Sequence, residues 1–380
     1  MKLAIGVMAY NRIEGVIRLL NSLNNAEYFG CTVDLIISID SGGLEEVVEV
    51  ANSFEWLHGK KTVVEQSESL KTKKHALWFG RQLLENYDAL ALFEDDIMVA
   101  PGFFGFMKAT VEFYRDDRDV AGISFYRHLH CTHTYDNFIP LNNGKDVFFL
   151  QQAVSWGEIW LKEQWADFFE WFKVNESDKE IWNIQGIPEW FSCFPDSALM
   201  KWFNLYCFLN NKYFVEPYFA FSTCFHEHGV NNVGESSNAF QSMLSNRIDE
   251  IFNLGHINEC EVYDSVCEYK KFNLESVCID LHGAKKYFEG KDYLLTIKKY
   301  KNTNPIKQYG RELKPIELNV MLDIPGEDIR IYKVDEVLSD VIQQESLMDV
   351  YNKMIYEWGL RAQLFKVVWK VFLGKVLRKL

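Results

Sequence analysis

At 380 residues, 48% hydrophobic and 15% aromatic, the chain is longer than one ordinary domain and too apolar to stay unfolded. Its net charge of −14 excludes a surface built to grip nucleic acid, which needs a broad basic face. A nucleotide diphosphate stays accessible to so acidic a protein when a divalent cation stands between its carboxylates and the phosphates.

The first predicted element is an apolar strand, Leu3 to Met8, cut off by Asn11, Arg12 and Glu14. That run is too short for a signal peptide or a membrane span, and eight scattered cysteines without a CxxC pair read as free thiols, so the expected address is the cytoplasm. A helix follows over Ile13 to Leu23, a strand over Leu35 to Ile39, a helix over His75 to Leu84 and a strand over Ala89 to Phe93. Short apolar runs alternating with helix-period stretches predict βαβ units on a parallel sheet. Such sheets bind ligands at the carboxyl ends of their strands. The residues there are Ala9-Tyr10-Asn11-Arg12, Asp40-Ser41-Gly42-Gly43 and Glu94-Asp95-Asp96.

From Val120 to Phe225 the pattern is irregular, with aromatic clusters at Trp156 to Trp171 and Trp182 to Trp202 and a strand near Phe214 to Phe225. The expected division is a main domain over 1–245, split into a nucleotide-binding half (1–118) and an acceptor half (119–245). An accessory segment (246–335) and a helical, basic amphipathic tail (336–380) follow. In the tail every charge from Gly359 to Leu380 is basic, interleaved at helical spacing with Leu364, Phe365, Val368, Trp369, Phe372, Leu373 and Val376. A helix of that kind on an acidic protein fits an anionic membrane surface, with packing on the body or on another chain as the alternative.

Three acids at one strand end repel one another unless solvent or a cation relieves them. A hard divalent ion held by one or two carboxylates and completed by diphosphate oxygens is the chemical answer, against a solvated acidic turn as the plain alternative.

The run His75-Ala-Leu-Trp-Phe-Gly-Arg, then Phe93-Glu-Asp-Asp-Ile-Met-Val-Ala-Pro-Gly-Phe-Phe, resembles the N-acetylglucosaminyltransferase I family. The likeness extends to Asn11-Arg12, Ser38-Ile-Asp40-Ser-Gly-Gly, Val215-Glu-Pro-Tyr-Phe and Phe225-His-Glu-His-Gly-Val, in the same order over about residues 1 to 235. It implies a GT-A fold: Rossmann-like, with a mostly parallel central sheet flanked by helices. It also implies an inverting transfer that uses UDP-N-acetylglucosamine and Mn2+, or Mg2+ in its place. On matched positions, Ala9, Tyr10, Asn11, Arg12, Asp40 and His75 would line the nucleotide, with Asp40 near the uracil. Asp96 would take the metal, with Asp95 and Glu94 supporting ribose, sugar or the metal's surroundings. Trp156, in Ala153-Val-Ser-Trp-Gly-Glu-Ile-Trp, matches a stretch beside the donor sugar.

An inverting transfer needs a base for the acceptor hydroxyl. Asp196, in Phe194-Pro-Asp-Ser-Ala-Leu-Met, holds the matching place, with Glu189 as competitor; a helix N-cap is the structural alternative for Asp196. His226, just past a predicted strand end, is a further metal ligand by analogy with GT-A enzymes that place a late histidine there. The expected activity moves a sugar from a UDP-sugar to a carbohydrate or lipid-linked glycan in surface polysaccharide synthesis, peripheral on the inner face of the cell membrane. A sugar nucleotidyltransferase would carry a Gly-rich basic loop after the first strand, which Ala9-Tyr10-Asn11-Arg12 is not. A catalytically silent binding or scaffold module of the same fold is the other alternative.

Overall fold

The computed structural model describes residues 1–227, 238–288 and 290–344; His228 and the basic stretch 359–380 lie outside the described residues. The chain forms two compact units, one of residues 1–129 with 140–272 and the other of 130–139 with the chain from 273 onward. The boundary expected at 245 falls at 272, because a strand at Val262–Tyr263 joins the main sheet.

The first unit runs β1 (Leu3–Ala9), α1 (Ile13–Asn24), β2 (Asp34–Ile39), α2 (Glu45–Ser53), β3 (Lys61–Glu65), α3 (Lys71–Leu83), β4 (Ala89–Glu94), β5 (Ile97–Val99) and α4 (Phe103–Tyr114). It continues with β6 (Val120–Ser124), β7 (Val147–Leu150), β8 (Glu158–Leu161), α5 (Lys162–Asn175), α6 (Leu199–Asn210), β9 (Tyr213–Pro217), β10 (Ser222–Cys224) and β11 (Val262–Tyr263). Nine strands form one sheet in the order β3-β2-β1-β4-β8-β6-β9-β7-β11. Because β8 is antiparallel to both β4 and β6, those two run the same way, and β1, β2, β3 and β9 share their direction. The fold is therefore mixed α/β, with a large, mostly parallel sheet flanked by helices.

Val16, Leu19, Leu20 and Leu23 recur at helical spacing on α1 and pack under Leu3, Ile5, Val7 and Ala9 of β1, in one core with Val47 of α2 and Phe103, Phe104 and Met107 of α4. On the opposite face Gly6 admits the Phe79 ring of α3, which lies 2.7 Å from where a Cβ would stand. Further along that face Trp160 of β8 stacks on Trp165 of α5 at 4.2 Å, and Phe168 stacks on Phe203 of α6 at 3.8 Å.

The second unit centres on β12 (Val277–Asp280), β13 (Tyr293–Thr296), β14 (Lys307–Tyr309) and β15 (Ile329–Lys333), in the order β12-β13-β15-β14. Cys278, Leu294, Tyr300 and Tyr332 form its small core, and its buried Asp280 is satisfied by Lys298 at 2.8 Å and by the Thr296 hydroxyl at 3.1 Å. Among the described residues no helix is long and apolar enough to cross a membrane.

Candidate functional site

The chain builds β1, β2 and β3 outward, then returns to lay β4 on the other side of β1. A crevice opens at such a switch point, beyond the carboxyl ends of the strands. Ala9 is in register with Ile39 and Met8 with Glu94, so Tyr10 to Arg12, Asp40 and the acid triplet all leave the sheet at one edge. Arg12 Nη1 donates to Asp95 Oδ1 at 2.5 Å, its Nη2 lies 3.8 Å from Asp96 Oδ2, and the Tyr10 amide donates to Asp95 Oδ2 at 3.3 Å.

Asp95 and Asp96 thus share one guanidinium, whose charge also reaches Glu94. Burial pushes the pKa values of Asp95 and Asp96 up, and Arg12 holds them partly down. Glu94 is pushed up to about 7, by burial first and by the charge of Asp96 second. Asp96 Oδ1 is buried and makes no hydrogen bond among the described residues. Glu158, opposite Leu92 on the neighbouring strand, adds a fourth carboxyl, itself buried; burial first and the Glu94 charge push its pKa up to about 8, while the Trp160 side chain holds it partly down.

The predicted strand near 214–225 is two strands, and the second, β10, pairs antiparallel with β5 so that Cys224 lies opposite Ile97. The Phe225 amide donates to the Asp96 carbonyl at 3.0 Å, Cys224 Sγ lies 3.8 Å from Asp96 Oδ2, and the His226 amide meets Cys224 Sγ at 3.2 Å. His226, in the left-handed region at φ 46°, is therefore brought beside the triplet, its ring against Phe240 at 4.9 Å. Glu227 anchors this strip: its carboxylate takes both Arg18 nitrogens at 2.8 and 2.9 Å, and its carbonyl accepts from Arg12 at 3.4 Å. Among the described residues no three His, Cys, Asp or Glu side chains close around a metal position.

The remaining expected residues divide. Asp40 is buried and accepts from the Ser41 amide (3.0 Å), the Leu70 amide (2.7 Å), the Lys71 amide (3.0 Å) and the Ser69 hydroxyl (3.3 Å). Its acceptor positions are taken in holding the start of α3. His75 lies buried in α3 with Nε2 2.7 Å from the Ser38 hydroxyl, and burial pulls its pKa down to about 4, so it is neutral and ties α3 to β2. Trp156 is half-buried, edge-on to Tyr126 at 4.8 Å and beside Phe240 at 5.1 Å.

Asp196 projects with its side chain 92% exposed and bonds Lys201 at 2.6 Å, which holds its pKa down. Its neighbour Ser197 accepts from the Lys73 amide at 3.0 Å, and the N-cap position of α6 belongs to Ala198. Glu189 opens the short 3-10 turn Glu189–Cys193 at the surface.

Sequence reasoning missed Glu158, Arg18, Glu227, Glu216 and His128. Glu216, 0% exposed on β9, accepts the His128 ring Nδ1 at 2.5 Å and the His128 amide at 3.2 Å. Glu158 and Glu216 each carried a signal, a lone acid inside an apolar strand run, where burial demands a partner.

No family model and no curated protein matches the chain. Solved structures similar to it include a crystal structure of S. aureus TarS 1-349, at 11% identity and a TM-score of 0.39, covering 58% of this chain and 60% of that one. The same protein in complex with UDP gives 12%, 0.38, 58% and 60%. The mannosyltransferase PcManGT from Pyrobaculum calidifontis, in complex with GDP-Man and Mn2+, gives 14%, 0.31, 45% and 46%. The match spans less than two thirds of each of these chains. The resemblance to the N-acetylglucosaminyltransferase I family rests on the sequence motifs alone.

Proposed function

We propose that the chain is a nucleotide-sugar glycosyltransferase of the GT-A type, working by inversion and using a divalent cation. One observation carries the reading: at the switch point of the sheet, Asp95 and Asp96 share the Arg12 guanidinium beside Glu94, and among the described residues Asp96 keeps a buried carboxylate oxygen without a hydrogen bond. A buried carboxylate in that state fits a hard cation that takes one or two protein ligands and completes its shell with phosphate oxygens. Asp96 and His226 would hold Mn2+ or Mg2+. The ion would supply neutralisation of the departing diphosphate.

Arg12 hydrogen-bonds Asp95 and holds the triplet in place, and the backbone from Ala9 to Asn11 lines the nucleotide side. Asp40 and His75 shape this wall from behind. Trp156 offers an aromatic face to the donor sugar. UDP-N-acetylglucosamine is the first donor to try. The acceptor is a carbohydrate or lipid-linked glycan, reached from the cytoplasmic face of a membrane through the basic tail. Asp196 and Glu189 are the carboxylates that the sequence brings forward for the base. Their surface positions favour, as a second reading, a module that binds the donor without turnover.

The test is calorimetric titration of UDP-, GDP-, CMP- and dTDP-sugars into the full chain, with and without Mn2+. Cation-dependent binding of one of them is expected. A flat response across the set rejects both readings.

A further inference from the structure

The carboxyl edge carries a second group of polar side chains outside the acid triplet. Tyr126-Arg127-His128 continues from β6, and Glu216 stands near the end of β9, which runs parallel to β6 with Ile123 opposite Val215. This edge is the one on which β4 presents the triplet, and β4 and β6 are separated only by β8. Two strand spacings put β6 about 10 Å from β4. Aromatic rings span that interval: His128 to Tyr126 at 5.9 Å, Tyr126 to Trp156 at 4.8 Å, Trp156 to Phe240 at 5.1 Å and Phe240 to His226 at 4.9 Å.

Glu216 is fully buried, and its two oxygens accept from the ring Nδ1 and the backbone amide of the same residue, His128. An ionised carboxylate only accepts, so in the neutral ring the proton sits on Nδ1 and the lone pair on Nε2. Among the described residues Nε2 makes no hydrogen bond and is not sealed from solvent. A buried carboxylate fixing one ring nitrogen and leaving the other open is the arrangement by which imidazole serves as a general base, because the carboxylate also stabilises the imidazolium that forms. Arg127 is the other charge nearby; burial lowers its pKa, and Glu216 and the Tyr126 and Tyr218 hydroxyls raise it. Asp196 suits the task less: it is exposed, and Lys201 holds its pKa down.

We propose that His128 is the base that takes the proton of the acceptor hydroxyl, with Glu216 as its positioning residue, an inference that rests on the glycosyltransferase reading above. The acceptor O–H bond breaks, its proton passes to Nε2, and its oxygen bonds the anomeric carbon. The bond from that carbon to the diphosphate breaks, the electron pair leaves with the diphosphate, and the imidazolium returns its proton to solvent.

The experiment compares wild type, His128→Gln, Glu216→Gln and Asp196→Asn for Mn2+-dependent binding of UDP-N-acetylglucosamine and for release of UDP with water as acceptor. Nitrogen-15 spectra of the histidine rings are recorded alongside. His128→Gln is expected to bind the donor as wild type does while UDP release falls roughly 10²- to 10⁴-fold. Asp196→Asn tests the other candidate: a loss of that size there, with His128→Gln unaffected, overturns the inference. Glu216→Gln is expected to lose rate together with the Nδ1-protonated signature of His128. Release by His128→Gln within threefold of wild type overturns the inference and leaves the donor-site reading standing. A wild type that binds no donor overturns that reading and this one with it. If donor binds but no UDP is released, the spectra decide: an unprotonated Nε2 at neutral pH supports the assignment, and a protonated Nε2 in the neutral ring rules it out.

Discussion

Among the described residues Asp96 keeps one oxygen without a hydrogen bond in a buried, acid-rich loop, which on the proposed reading leaves it for a cation at a cost to the fold. Asp96→Asn removes a like charge from the triplet. It should hold or raise the denaturation midpoint while weakening Mn2+-dependent donor binding at least tenfold, a pair of outcomes that urea unfolding and calorimetry separate. Glu158 allows a pH test. Its folded-state pKa, pushed up to about 8 from an ordinary 4.5, makes the native chain bind more protons than the unfolded chain between those values. Stability therefore falls as pH rises through that window. Glu158→Gln should flatten the fall between pH 5 and 8, read as urea midpoints at the two ends; an unchanged slope would count against the buried carboxyl as its source. Arg12 and the triplet were legible in the sequence because a strand end, a cluster of like charge and a cation announce themselves locally. His128 and Glu216 were not: they stand 88 positions apart, and only the pairing of β6 with β9 brings them together.

At the scale of single elements, α3 is held at both ends by contacts that are testable one at a time. Asp40 accepts at its start from the Leu70 and Lys71 amides, so Asp40→Ala should lower stability by about 1–2 kcal/mol, as loss of a helix cap does. A residue that only touched nucleotide would leave unfolding unchanged, so denaturation of the ligand-free protein tells the two roles apart. Near the other end, a Cβ at Gly80 would stand 2.1 Å from the Trp165 ring. That ring is itself pinned against Trp160, and Gly80→Ala should cost about 1–3 kcal/mol in urea unfolding through overpacking. β1, α1, β2 and β4 were legible because one buried face or a continuous buried run gives each a period. α2 was not, with only Val47 and Ala51 buried, and neither was β3, whose residues are half-exposed along an edge. α6 surfaced only through the cap reading of Asp196, for the opposite reason: Leu199, Met200, Trp202, Phe203, Leu205, Tyr206 and Cys207 are all buried, and a helix covered on most of its circumference shows no stripe.

Across the whole molecule, the first unit closes only when residues 246–272 are included. Phe252 packs edge-on against Phe106 at 5.5 Å and Phe221 at 5.8 Å, and Cys260 and Val262 are buried in the same core. A chain ending at 245 should therefore unfold at lower urea than one ending at 272, or fail to accumulate as soluble protein. The Lys-, Glu- and Tyr-rich composition of 246–335 hid this seam, because a two-residue strand on the far edge of a sheet leaves no pattern of its own.

The rim around the aromatic wall is assembled from three separate stretches of chain: Tyr126 follows β6, Trp156 precedes β8, and Phe240 lies beyond β10. None of the three belongs to a strand or helix of the scaffold that carries the acid triplet. On the glycosyltransferase reading proposed above, a change in any one of these stretches would reshape the sugar side of the cleft while leaving the acids at the strand end untouched.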